Sequence, residues 1–276
     1  MPTPDEKWMR ATADEPQHSG ADARRGVSAI APAWHTVVLI AAIVAVSATG
    51  AARLPDEHRE VHRLGTYAIT AAMELAMLAW VWFGLRLRKT PLRALLGPKR
   101  GDARSIALDF GIAAVFWVGS MMVLGTLGIT WSVVGAAITH RPLIGANGQP
   151  TMEQERALHT LERLAPANGE EMAAWALLCG IAGFVEETVF RGYLQQQFTA
   201  WGKGSAAAGV VFSALMFGAA HGYEGARTMF LIAAFGALFS VLAIFRGSLR
   251  PGILAHCWHD LITGLALAIL KSQHIF

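Results

Sequence analysis

A series of apolar runs, each near the length that crosses a bilayer, constrains this chain most. A helix needs about 20 largely apolar residues to span the hydrocarbon. Seven segments approach or reach that scale, at 35–53, 66–85, 107–130, 172–193, 205–222, 226–245 and 251–270. The stretch WSVVGAAITH after residue 130 either extends the third run or forms a short eighth helix. The expected fold is all-α, a polytopic membrane bundle of seven to eight transmembrane helices over 31–276. Composition agrees: 54% of the residues are hydrophobic and 16% are charged, against about 25% charged in soluble domains.

The polar segments complete the plan. Residues 1–30 are rich in Pro, Asp and Glu and read as a poorly ordered tail. A cleavable signal would begin its apolar core earlier than residue 37. Between 140 and 171 lies a polar loop whose TMEQERALHTLERL portion reads as an amphipathic helix at the interface. No internal repeat and no separate soluble domain stand out. Loop 86–104 holds seven Lys/Arg, whereas 53–65 holds only Arg53, Arg59 and Arg63 mixed with acids. The positive-inside rule therefore puts 86–104 and the N-terminus in the cytoplasm, in a multi-pass cell-membrane protein. With seven spans the 192–204 and 246–250 connections face the same side, and an eighth helix would reverse every later segment. The net charge of +3 sits between apolar runs, so it sets topology rather than a nucleic-acid surface. Cys179 and Cys257 both fall in apolar segments, which argues against a disulfide framework or a cysteine zinc site.

Three apolar segments carry ionisable groups, each costly in a span. In AGFVEETVFRGYL, Glu187 and Arg191 are i,i+4 and can pair on one face. A single paired arginine leaves Glu186 unexplained, free to point at a cavity; the plainer reading is a buried ionic knot or a helix end at the interface. In VVFSALMFGAAHGYEG, Phe217 and His221 share a face, and a lone histidine at a span's end is more often interfacial than catalytic. In RPGILAHCWHDLITG, His256 and Asp260 are i,i+4 with His259 on the same broad side. That face suits metal ligation or proton transfer, or merely a local His–Asp hydrogen bond. Cys257 projects elsewhere and reads as small core filler. Glu74 is a candidate partner inside the bundle for a hydroxyl or histidine, and Asp109 reads as a headgroup contact. His58, His62, His140 and His274 fall in loops or the tail, and the tryptophans are lipid-facing or interfacial by default.

Taken in order, EETVFR (186–191), FGAAH (217–221) and HCWHD (256–260) match EExxxR, FxxxH and HxxxN/D motifs. The chain resembles the CPBP family of CAAX-prenyl-protease-like and bacteriocin-processing intramembrane proteases, also called Abi proteins, over roughly residues 170–270. Its last motif position is Asp260, where the prenyl-protease branch typically has Asn. The resemblance implies peptide-bond hydrolysis within the membrane, with Glu186 as general base on a water, His221 holding that water, and His256 and Asp260 supporting the oxyanion. Glu187 and Arg191 then form a pair that orients Glu186.

Zinc on Glu186, His221 and His256 is one version of this chemistry; a metal-free Glu/His mechanism is the other, and no HExxH helix is present. The implied partners are the lipid bilayer and a prenylated peptide, a bacteriocin leader or a membrane protein as substrate, with no nucleic acid. The sequence leaves the oligomeric state open. A transporter or proton relay could use the same buried groups, although the inverted repeat common to such folds is missing. A non-catalytic membrane scaffold is the remaining alternative. One difficulty concerns depth: His221 falls at the far end of its expected span and His256 near the start of its own.

Overall fold

The computed structural model describes residues 28–52, 62–98, 101–140 and 164–272. The polar tail before residue 28, the amphipathic stretch at 151–163, His58 and His274 lie outside them. Among the described residues every regular element is helical: α1 (Ala33–Ala52), α2 (Arg63–Leu87), the single turn α3 (Arg93–Leu96), α4 (Ala103–Thr139) and α5 (Gly169–Glu186). A π-helical segment (Glu187–Leu194) runs without a break into α6 (Gln195–Trp201). There follow α7 (Ala206–Ala220), a 3₁₀ turn (Gly222–Glu224), α8 (Ala226–Arg246) and α9 (Arg250–Ser272).

Six helical segments are long and apolar enough to cross a membrane: α1, α2, α4, the continuous 169–201 rod, α8 and α9. Their outer faces are apolar as well, with Val115, Met122, Ile138 and Phe245 at 71–81% exposure. WSVVGAAITH continues the third helix: α4 has 37 residues, about 55 Å at about 1.5 Å per residue. It ends at His140, whose φ of 52° lies in the left-handed region. The 205–222 run is shorter than a span: α7 has 15 residues, about 22 Å against the roughly 30 Å of hydrocarbon.

Helix starts follow local chemistry. Asp102 accepts from the Ser105 N–H at the head of α4, and Ser205 accepts from Ala208 at the head of α7. At α5, Asn168 accepts from the Glu171 N–H while the Glu171 carboxylate accepts from Ala167, a reciprocal capping box. Arg63 pairs with the same Glu171 at 3.6 Å, tying the start of α2 to the start of α5.

Residues 88–98 and the 247–249 turn share one end of the bundle. Leu249 N–H and Ser248 Oγ both donate to Leu96 O. Gly97 adopts a φ of +87° there, and a Cβ on it would lie 2.5 Å from Gly247 O. The start of α1 reaches the same end, where Gln197 accepts from the Ile30 and Ala31 N–H groups. From that end α7 rises, turns at 222–224 and returns as α8, a hairpin rather than two full crossings. Its turn leans on α1, where Gly222 N–H donates to Ser47 Oγ.

Two sequence expectations change. Asp109 is buried at 4% exposure and pairs with Arg246 at 2.8 Å, closing α4 onto the last turn of α8 instead of touching headgroups. Trp80 and Trp175 point inward, their indole N–H groups donating to His35 O and Asp260 O. Cys179 and Cys257 are free thiols, as their apolar setting implied.

Candidate active site

The EETVFR motif straddles a change of helix type. Glu186 is the last residue of α5 and Glu187 the first of the π segment. The wider turn leaves backbone carbonyls in need of partners. Phe190 O takes the Gln195 N–H five residues on, and also the Ser213 hydroxyl of α7 at 2.6 Å. All eight residues of the π segment are buried. π turns are rare and concentrate at functional sites, and here the turn carries Glu187 and Arg191 into the bundle.

Arg191 and Glu187 form an ion pair at 2.9 Å with side chains 0% and 1% exposed. The guanidinium lies 4.1 Å from the Phe217 ring centroid and 5.1 Å from that of Phe239, so aromatic faces flank the charge beside its Glu187 contact. The same Glu187 oxygen lies 3.0 Å from His256 Nδ1. A carboxylate only accepts, so Nδ1–H donates and ties the ring to the first residue of the π segment. Glu187 therefore joins Arg191 to His256.

The opposite nitrogen of His256 faces the other two acids. Nε2 is 3.5 Å from Glu186 Oε2 and 3.8 Å from Asp260 Oδ2. His256 thus sits among three carboxylates, one from α5, one from the π segment and one from its own helix. Two glycines let the helices approach this closely. A Cβ at Gly183 would lie 2.6 Å from Cys257 Sγ, and one at Gly252 would lie 3.1 Å from Glu187 Oε2. Cys257 is the filler the sequence suggested. His259 turns away from the acids, its ring 5.0 Å from Phe235 on α8.

His221 caps the C-terminus of α7. Its Nδ1 lies 2.9 Å from Phe217 O. A carbonyl cannot donate, so that nitrogen carries the proton and a neutral ring keeps its lone pair on Nε2. The Phe217 ring stands edge-on to both histidines, 5.1 Å from His221 and 6.0 Å from His256. His221 is also within electrostatic reach of Asp260. The depth difficulty therefore dissolves: α7 stops after 15 residues, so its end comes to the level of the acids instead of the far surface.

The site thus links Arg191 to Glu187, and gathers Glu187, Glu186 and Asp260 around His256, with His221 bordering them across Phe217. Among the described residues no three His, Cys, Asp or Glu side chains are grouped closely enough to hold an ion. With Nδ1 held by Glu187, His256 keeps Nε2 as its open nitrogen, facing Glu186.

Three neighbours escaped the motif reading as site residues. Glu224 and Tyr223, on the turn after His221, both lie within electrostatic reach of Glu186. Glu74 of α2 reaches Glu186, His256 and Asp260 in the same way. The GYEG immediately after His221 was the available signal for the first two.

Residues 168–262 match the protein family described as type II CAAX prenyl endopeptidase Rce1-like. The matched segment contains EETVFR, FGAAH and HCWHD and agrees with the CPBP resemblance. No curated protein and no solved structure matches the chain.

Proposed function

We propose, from a chain whose residues 168–262 belong to the Rce1-like type II CAAX prenyl endopeptidase family, that the protein is an intramembrane endopeptidase working through a Glu186-activated water. The observation that carries this reading is the seat of His256, with Glu186 3.5 Å and Asp260 3.8 Å from its Nε2 while Glu187 fixes Nδ1. Glu186 Oε2 is buried with no hydrogen-bond partner in the protein, as suits an oxygen that takes a proton from a bound water. His221 Nε2, with its lone pair outward, accepts a hydrogen bond from the O–H that the water keeps and so aims its oxygen. The water attacks the scissile carbonyl, and His256, with a proton on Nε2, donates to the oxygen as it becomes anionic. Asp260 steadies that ring from the next turn of α9.

The substrate class is a peptide bond presented from within or beside the bilayer. A prenylated peptide is the first to test; a bacteriocin leader and a membrane protein are the others. By the positive-inside rule the end that carries 88–98 faces the cytoplasm.

The test replaces Glu186 with Gln in detergent-purified protein and follows cleavage of a prenylated, internally quenched peptide. The variant should purify with the wild-type elution profile and lose cleavage by at least about 10²-fold, the scale of a lost general base. Equal turnover by both proteins would remove Glu186 from the chemistry. Elemental analysis of the same wild-type sample, with a chelator titration, decides between this mechanism and a zinc ion on Glu186, His221 and His256.

A further inference from the structure

Hydrolysis of an amide needs two proton transfers, and Glu186 with His221 accounts for the one that removes a proton from water. Glu74 is unused by that scheme. Its Oε2 is buried with no hydrogen-bond partner, in a helix whose apolar faces need no carboxylate.

Helix packing fixes where it sits. Arg63 pairs with Glu171, and the Tyr67 ring meets that of Trp175 at 5.4 Å. Both contacts join residues 108 positions apart, so α2 and α5 run parallel in a constant register. Carried along that register, Glu74 comes level with Ala182, one turn short of Glu186. The residues two turns to either side of it, Tyr67 and Val81, are both buried on the face that meets α5. Glu74 therefore shares their face, within electrostatic reach of Glu186, His256 and Asp260.

We propose that Glu74 is a second catalytic carboxyl, donating a proton to the nitrogen that leaves. This rests on the endopeptidase reading of the same site. In the first half, water loses a proton to Glu186 as its oxygen bonds to the carbonyl carbon. In the second half, the tetrahedral intermediate re-forms its C=O, the C–N bond breaks, and the Glu74 O–H proton passes to the nitrogen. Glu74 then recovers the proton held by Glu186 through intervening water. The net change is one water consumed, one carboxyl and one amine released.

The test compares two probes with the same acyl half: the peptide itself, and an ester of a hydroxycoumarin, whose anion departs without needing a proton. Glu74→Gln should lower kcat on the peptide by about 10²–10⁴-fold, the range for a lost general acid, and leave the ester rate nearly unchanged. Retained ester hydrolysis also certifies that the variant is folded with its site intact. Loss of both activities in parallel assigns Glu74 a structural role and overturns the proposal, as does retention of both. Wild-type protein inert on both probes would instead defeat the endopeptidase reading, so the two failures are distinct.

Discussion

The Arg191–Glu187 pair offers the sharpest test of how the site is held. Consider Arg191→Met, which preserves chain length and apolar volume while removing the charge. Both side chains are at most 1% exposed and 2.9 Å apart, so little solvent screening softens the loss. Removing one member of a buried pair typically costs about 3–5 kcal/mol, because the other charge stays behind uncompensated. Two features pull the figure toward the lower end. His256 Nδ1–H still donates to the Glu187 oxygen, and methionine sulfur against Phe217 and Phe239 recovers about 0.3–1.5 kcal/mol of the lost cation–π contacts. The expectation is about 3 kcal/mol. The double variant Glu187→Gln/Arg191→Met removes both charges of the pair, and its amide oxygen can still accept from His256. It should therefore regain more than half of the loss. Equilibrium unfolding by SDS titrated into mild micelles, read by tryptophan fluorescence, measures both. A single variant within about 1 kcal/mol of wild type, or a double variant whose loss is the sum of the singles, would refute the claim that this pair is a buried, mutually compensated unit.

Further expectations concern the frame around the site. Gln197 Nε2 donates to Thr36, and the Thr36 and Tyr193 hydroxyls then pass donors on to His35 Nδ1, while His35 Nε2–H donates to Trp80 O. Tyr193→Phe breaks this chain in the middle and strands His35 Nδ1, so it should cost about 1–3 kcal/mol in the same titration; an unchanged midpoint would show the chain to be slack. Gly183→Ala pushes a methyl into Cys257 Sγ at 2.6 Å and should destabilise by about 1–3 kcal/mol while lowering kcat by parting Glu186 from His256. Gly183→Ala/Cys257→Ala should restore part of both, and failure of any rescue would locate the strain elsewhere.

What the sequence makes legible is what a single helix decides. Apolar length located the segments that became helices, because a span must bury its backbone and face lipid with side chains alone. Spacing of i,i+4 brought out Glu187–Arg191 and His256–Asp260, since neighbours on one helical face are fixed by the helix itself. The hairpin of α7 and α8 was less visible. An apolar count ends the run at 222 but does not register that its 15-residue helix stops short of a crossing, and only the GYEG just after it hints at a turn within the bundle. The π segment was hidden for another reason. Its wide turn is supported by Ser213 from another helix, and nothing in ETVFRGYL records that partner.

The same distinction explains where the sequence reading went astray. Asp109 sits near the start of its apolar run, so a one-dimensional reading sends it to the headgroups; its partner Arg246 is 137 residues away. Glu187 reads correctly as the partner of Arg191, but its second partner, His256, lies 69 residues on and out of reach of spacing. Glu74 lies between these cases: with no charged neighbour within its own span and no motif around it, the sequence offers it only an unnamed hydroxyl or histidine inside the bundle. Its significance emerges only from the register that Arg63 and Tyr67 set against α5. Ionisable groups in spans are costly enough that each needs a reason. Where the same helix supplies the reason, spacing reveals it. Where another helix supplies it, the unexplained charge is itself the signal, and Glu74 was the charge in this chain that still lacked one.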